Sequence, residues 1–300
     1  MKKLITSILL LCSIISFSQD YYEAFVSAIR DRNTIKEDSI LKAWDSAEPN
    51  NPDLFTSYFN HYIVQSKQNI LMMGDNPPTE QDVLSIHDSV KTISYIYDAT
   101  LFKAEPFEKA MMYIDSGLKM YPRRLDMHFG KVHILGEAKD WNSFTKSILQ
   151  TLKIAKENNN SWLWTKNSSL PEQDSIAFFL GAIQDYQIMI YNTGDDSLLK
   201  YMREIGLKTI EQHPTHIESY SNIGITYMIL GENIKGLKYF LKGIELNPND
   251  EITLSNIAQC YYRLKNTKKA IEYYQRAFDV GDKYTKQIAT EKLLELKGDK

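Results

Sequence analysis

The sequence predicts an all-α solenoid of about five to six stacked helix pairs, closed by a C-terminal capping helix and interrupted by a small β-hairpin near 83–97. Three observations predict it. Residues 217–250 superpose on residues 251–284 at a shift of 34, with seven identities: Ser221, Asn222, Ile223, Tyr227, Leu230, Lys235 and Tyr239 fall on Ser255, Asn256, Ile257, Tyr261, Leu264, Lys269 and Tyr273. Small residues keep their offsets, since Gly224, Gly236 and Gly243 become Ala258, Ala270 and Ala277. Each copy also carries two amphipathic segments separated by a breaker, which is the signature of a helical repeat.

Within the first copy, Tyr220, Ile223, Tyr227 and Leu230 recur at three- and four-residue steps and form one apolar helix face. Gly231 and Asn233 supply turn chemistry. A second helix carries Leu237, Phe240, Ile244 and Leu246 and stops at Pro248. Gly224 and Gly236 let the two helices approach, with Tyr227 and Phe240 filling the space beside them. Because Ala270 and Ala277 hold the equivalent slots, alanine is expected to be tolerated at Gly236 and Gly243.

The rest of the chain reads as degenerate versions of this unit. Residues 19–73 give N-terminal helices: a short one on Tyr22, Phe25, Val26 and Ile29, one over Lys36 to Ala47, and one over Leu54 to Met73 capped by Asp53. The interval from Trp44 to Pro52 equals that from Phe240 to Pro248. Residues 74–104 break the pattern. Gly74 to Pro78 is a loop, and the alternation at Leu84 and Ile86 followed by the β-branched and aromatic run Thr92 to Tyr97 predicts a hairpin. Residues 105–214 resume the helices, with Ala110, Ile114, Gly117 and Pro122 spaced like Gly236, Phe240, Gly243 and Pro248. Phe129-Gly130 is set on Ile223-Gly224, and Trp162 and Trp164 sit in an irregular link expected to cover an end of the core. Ser175 to Tyr191 and Ser197 to Gln212 form the next pair. Residues 285–300 give a capping helix and a polar tail, which hides the apolar face of the last repeat.

Residues 1–18 read as a secretory signal peptide: Lys2 and Lys3, then the fourteen-residue apolar run Leu4 to Phe17, then Ser16 and Ser18 at the spots a signal peptidase inspects. The run is shorter than the roughly 20 apolar residues of a membrane span. Cys12 is read as part of the run, since Leu11 stands where lipid-modified leaders place a small residue. The expected location is therefore periplasmic or secreted, with cleavage after Ser18. Removing Lys2 and Lys3 leaves 33 basic against 38 acidic residues, a net charge of −5. That balance argues against nucleic acid and against an anionic membrane surface as partners. Cys260 is then the one remaining cysteine, expected to be buried and inert on an apolar helix face.

No nucleophile elbow, zinc-protease motif or dinucleotide fingerprint occurs, and no catalytic residue, cofactor site or metal site is assigned. His128 and His133 face different ways, and His213 and His216 flank Pro214 without a third ligand nearby.

The pattern over 217–284 resembles the tetratricopeptide repeat family. Tyr220, Ile223-Gly224, Tyr227, Gly231, Gly236, Phe240, Gly243 and Pro248 carry the resemblance, as do Leu254, Ile257-Ala258, Tyr261, Ala270, Tyr274 and Ala277 in the second copy. Asp282 departs from it at the family's proline. The resemblance implies a right-handed superhelix with a concave binding face, and no particular chemistry. Asn222 and Asn256 match the asparagines of the family's carboxylate clamp, but the basic half of that clamp is missing. The expected function is an exported scaffold that binds a protein or peptide on the concave face. The candidate residues are Ser221, Asn222, Ile225 and Met228, then Ser255, Asn256, Gln259, Tyr262 and Arg263, with Gln184, Tyr191 and Lys131 in earlier repeats. The alternatives are self-association, a small-molecule or glycan binder using the tryptophan link, an accessory subunit of an envelope enzyme, or an enzyme whose site is assembled from residues distant in sequence.

Overall fold

A computed structural model describes residues 20–75, 83–88, 92–170 and 174–298. The signal peptide expected over 1–18 lies outside these residues, as do the middle of the 74–104 insertion and the last two residues of the tail.

The chain is a series of antiparallel helix pairs. They are α1 (Tyr21–Arg30) with α2 (Thr34–Ala47), α3 (Pro52–Ser66) with α4 (Ala104–Met120), and α5 (Leu125–Glu137) with α6 (Trp141–Glu157). Next come α7 (Ser175–Tyr191) with α8 (Leu199–Gln212), α9 (Ile217–Ile229) with α10 (Asn233–Leu246), and α11 (Glu251–Arg263) with α12 (Thr267–Val280). The last helix, α13 (Lys283–Gly298), packs on α12 and α11. It buries Ala289, Leu293 and Leu296 against the cluster of Phe240, Ile257 and Tyr274. The expected cap is therefore present and does what a solenoid end requires.

Local chemistry sets the helix ends. Asp20, Asn33, Asn51, Asp140, Asp174, Asp250 and Asn266 each accept a first-turn amide with the side chain, satisfying donors that a helix start leaves open. The turns after α5, α9 and α11 place Lys139, Gly231 and Lys265 at positive φ. Glycine meets that demand without strain only in the middle case.

One element differs from the sequence reading. The helix expected over Leu54 to Met73 stops at Ser66, whose Oγ donates to the Ile63 carbonyl at 2.7 Å. Lys67–Gly74 is instead the strand β1. With β2 (Leu84–His87) and β3 (Thr92–Phe102) it forms an antiparallel sheet ordered β1-β3-β2, in the register Lys67↔Phe102 to Gly74↔Tyr95 and Leu84↔Ile96. The expected hairpin is β2–β3, inserted between α3 and α4, and it gains a third strand. Ile70 to Met73 is a short apolar run that suits either state, and the long partner β3 decides it.

Buried polar groups lock the N-terminal half. Arg124, at the start of α5, is fully buried. Its guanidinium donates to Asp126 at 2.9 and 2.7 Å and to Asp53, at the start of α3, at 2.7 Å. Asp53 also accepts the Lys166 backbone amide at 3.0 Å, so three segments meet at one carboxylate. His61 on α3 contacts Glu37 and Asp38 on α2 at 2.7 and 2.9 Å.

Candidate protein-interaction face

The site expected from sequence lies on the first helices of successive pairs, where α7, α9, α11 and α13 follow one another. The structure brings most of the candidate residues onto this row but gives many of them structural work. Asn222 is 5 % exposed, and its amide donates to Gln184 on α7 at 2.6 Å. Ser221 Oγ meets Thr253 Oγ1 on α11 at 2.6 Å. Arg263 donates to the Met228 carbonyl at 2.7 Å, and Tyr262 donates to Glu295 on α13 at 2.6 Å. Ile225 and Met228 are half-buried against the C-terminal core. These residues join neighbouring repeats.

Other groups stay available. Ser255 and Asn256 are half-buried, and Asn256 has no hydrogen-bond partner among the described residues. Gln259 accepts from the Tyr274 hydroxyl at 2.7 Å through its Oε1, which leaves its amide nitrogen free to donate. Arg263 is exposed and keeps further N–H groups beyond its one bond to Met228. Asn256, Gln259 and Arg263 are spaced by three and four residues, so they share one helix face. Ile252, one turn earlier on α11, is also exposed. Tyr191 stands exposed at the end of α7. Lys131 does not join the row, because its amine pairs with Asp115 on α4.

The identities outside this face have a separate explanation. Tyr227 stacks on Tyr239 at 5.8 Å with Arg203 over its ring at 4.3 Å. One repeat on, Tyr261 meets Tyr273 at 5.6 Å, with Arg276 over Tyr273 at 4.9 Å. The tyrosine pairs join α9 to α10 and α11 to α12, and each has an arginine over one ring, from α8 in the first case and α12 in the second.

The tryptophan link is structural. Trp162 is buried, stacked on Phe179 at 5.8 Å and edge-on to His128 at 5.6 Å. Trp164 is half-buried against Phe129 and Phe178. The link covers the core as expected and offers no open aromatic platform. Cys260 is fully buried, and burial pushes its thiol up to about 11. A thiol held protonated is a poor nucleophile. Among the described residues, no group of three His, Cys, Asp or Glu side chains could hold a metal ion, and no helix is long and apolar enough to cross a membrane.

A family model, the tetratricopeptide repeat, matches residues 215–283. No curated protein matches the chain in sequence. Among solved structures, the chain is similar to the C-terminal part of a TPR repeat-containing protein from Cytophaga hutchinsonii, at 14 % identity and a TM-score of 0.42 over 92 % of this chain and 95 % of that one. It is also similar to YrrB, described as a TPR protein with an unusual peptide-binding site, at 14 % identity and a TM-score of 0.40 over 61 % of this chain and 83 % of that one. A third is PilW, a type IV pilus biogenesis factor, at 11 % identity and a TM-score of 0.36 over 85 % and 90 %. The class is a helical-repeat scaffold of the kind that mediates protein–protein interaction. The tetratricopeptide-repeat match lies on the α9–α12 region.

Proposed function

We propose that the chain is an exported scaffold that binds an extended peptide segment of a partner protein across α9 and α11. The observation that carries this reading is the contrast between two asparagines in equivalent slots. Asn222 is consumed by Gln184, whereas Asn256 presents an unpaired amide beside Gln259 and Arg263. A primary amide both donates and accepts, so it matches the N–H and C=O of an extended backbone. Arg263 adds a cation for a carboxylate on the peptide, and Ile252 adds an apolar contact. Binding here requires no proton transfer or bond cleavage.

Export rests on the leader read in residues 1–18 and is consistent with a mature chain whose single thiol is buried. Intact mass of the exported protein should begin at Gln19; a mass retaining residues 1–18, or a lipid on Cys12, contradicts it.

Selection from a random peptide library on the mature chain tests the binding reading. Selected peptides should bind the wild type and lose on the order of tenfold in affinity to Asn256→Ala, as loss of a polar anchor requires. Peptides that bind both proteins equally would move the site elsewhere.

A further inference from the structure

A cavity of about 460 Å³ opens between α4, α5 and α6, far along the chain from the α9–α11 face. The repeat explains why it is there. A shift of 92 residues carries the positive-φ Lys139 to Gly231. The same shift carries the His128 contact with the Pro122 carbonyl to the Tyr220 contact with the Pro214 carbonyl. It also carries Lys131 to Ile223. Ile223 is fully buried and so close to α8 that a Cβ on Gly206 would meet it at 2.8 Å. At the earlier junction the same slot holds an ammonium group, and the space beside it is left open.

The charges around that space do not balance. Lys119 from α4 and Lys146 from α6 flank Lys131, and neither has a carboxylate partner among the described residues. Asp115, paired with Lys131, is the one acidic group in the lining. His128 adds no charge at neutral pH, because burial pushes its imidazole down to about 4. Three cations against one anion leave an excess of two positive charges, on a chain whose net charge is −3. Leu118 and Ile154 give the cavity apolar walls, and Ser147 and Gln150 add neutral donors.

We propose that this cavity binds a small dianion carrying an apolar group, either a phosphomonoester or a dicarboxylate. Its volume falls within the range of small-molecule sites. Its apolar walls strengthen the attraction of the lysines for an anion relative to open solvent. The site is particular to this junction. At the α8–α9–α10 junction Ile223 fills the slot, and Glu211, bonded to Lys208, stands where Lys119 stands here.

Calorimetric titration with phenyl phosphate, benzylsuccinate and inorganic phosphate tests the proposal. At least one of the two organic dianions should bind saturably and more tightly than inorganic phosphate; whichever binds tighter names the headgroup. The double variant Lys119→Glu/Lys146→Glu changes two exposed side chains and should weaken binding by tenfold or more while leaving the circular dichroism unchanged, where tenfold is about the loss of one charge-assisted contact. Lys131→Ile, which restores the residue of the later repeat, should fold and lose binding as well. Failure of both organic dianions to saturate by about 10 mM, or undiminished affinity in the double variant, would overturn the proposal. Inorganic phosphate binding as tightly as the better of the two organic dianions would also overturn it.

Discussion

A Cβ added to Gly236 would stand 2.8 Å from the carbonyl oxygen of Gly224. That oxygen belongs to helix backbone, so relief requires α9 and α10 to separate. Across the same interface, a Cβ on Gly224 would meet the Phe240 ring at 2.5 Å. Gly243 differs, since its nearest neighbour, the Tyr220 Cβ, would lie at 3.6 Å. Gly236→Ala should therefore destabilise, the overpacking cost of about 1–3 kcal/mol outweighing a helix-propensity gain of about 0.4–1 kcal/mol. Gly243→Ala should keep the gain. Urea denaturation of the two variants checks both signs. The expectation that Ala270 licenses alanine at Gly236 is corrected by the 2.8 Å approach to helix backbone.

Asn222 and Asn256 should respond differently to alanine. Asn222→Ala removes a buried bond and strands the Gln184 carbonyl oxygen, costing about 1–2 kcal/mol. Asn256→Ala removes no hydrogen bond among the described residues and should leave the melting temperature unchanged. Equal losses in the two variants would mean that Asn256 also serves packing.

Arg124→Ala should be severe. It leaves the Asp53 and Asp126 carboxylates facing each other in a buried site without their cation. Loss of one partner from such a group costs about 3–5 kcal/mol. Denaturant midpoints measure it, and a loss under about 1 kcal/mol would show that the group is solvated.

Stability should fall with acid through His128. Its folded pKa is pushed by burial from 6.5 down to about 4, so below pH 6.5 the unfolded chain takes up a proton that the folded chain refuses. The contribution is full above 6.5 and is lost as pH falls to about 4, amounting to about 3 kcal/mol. His128→Tyr, which introduces the residue type that Tyr220 supplies in the equivalent slot, should flatten the pH dependence of the denaturation midpoint over that window. An unchanged slope would assign the loss to other groups, including His216, which burial also lowers.

The repeat at 217–284 was legible because its apolar and small positions recur at a fixed interval, and the capping helix was legible as one more amphipathic segment. Strand β1 was not, since Ile70 to Met73 has no period of its own and its state depends on β3, some 25 residues away. The register of α5 was hidden by the Phe129-Gly130 pair, which imitates Ile223-Gly224. The turn at Lys139 instead sets Gly130 on Asn222 and Lys131 on Ile223. On the candidate face, sequence could place Ser221, Asn222, Ser255 and Asn256 on one row. It could not see that Gln184 and Thr253 on neighbouring helices consume two of them.

Photo-crosslinking of a selected peptide tests the central claim most directly. Benzoylphenylalanine is placed at Ser255, on the binding row of α11, or at Gln275, exposed on α12. A peptide seated across α9 and α11 should crosslink efficiently from Ser255, lose that crosslink when Asn256→Ala is made in the same chain, and give none from Gln275. Crosslinking from Gln275 with none from Ser255 would contradict that seating and put the partner on the second helices.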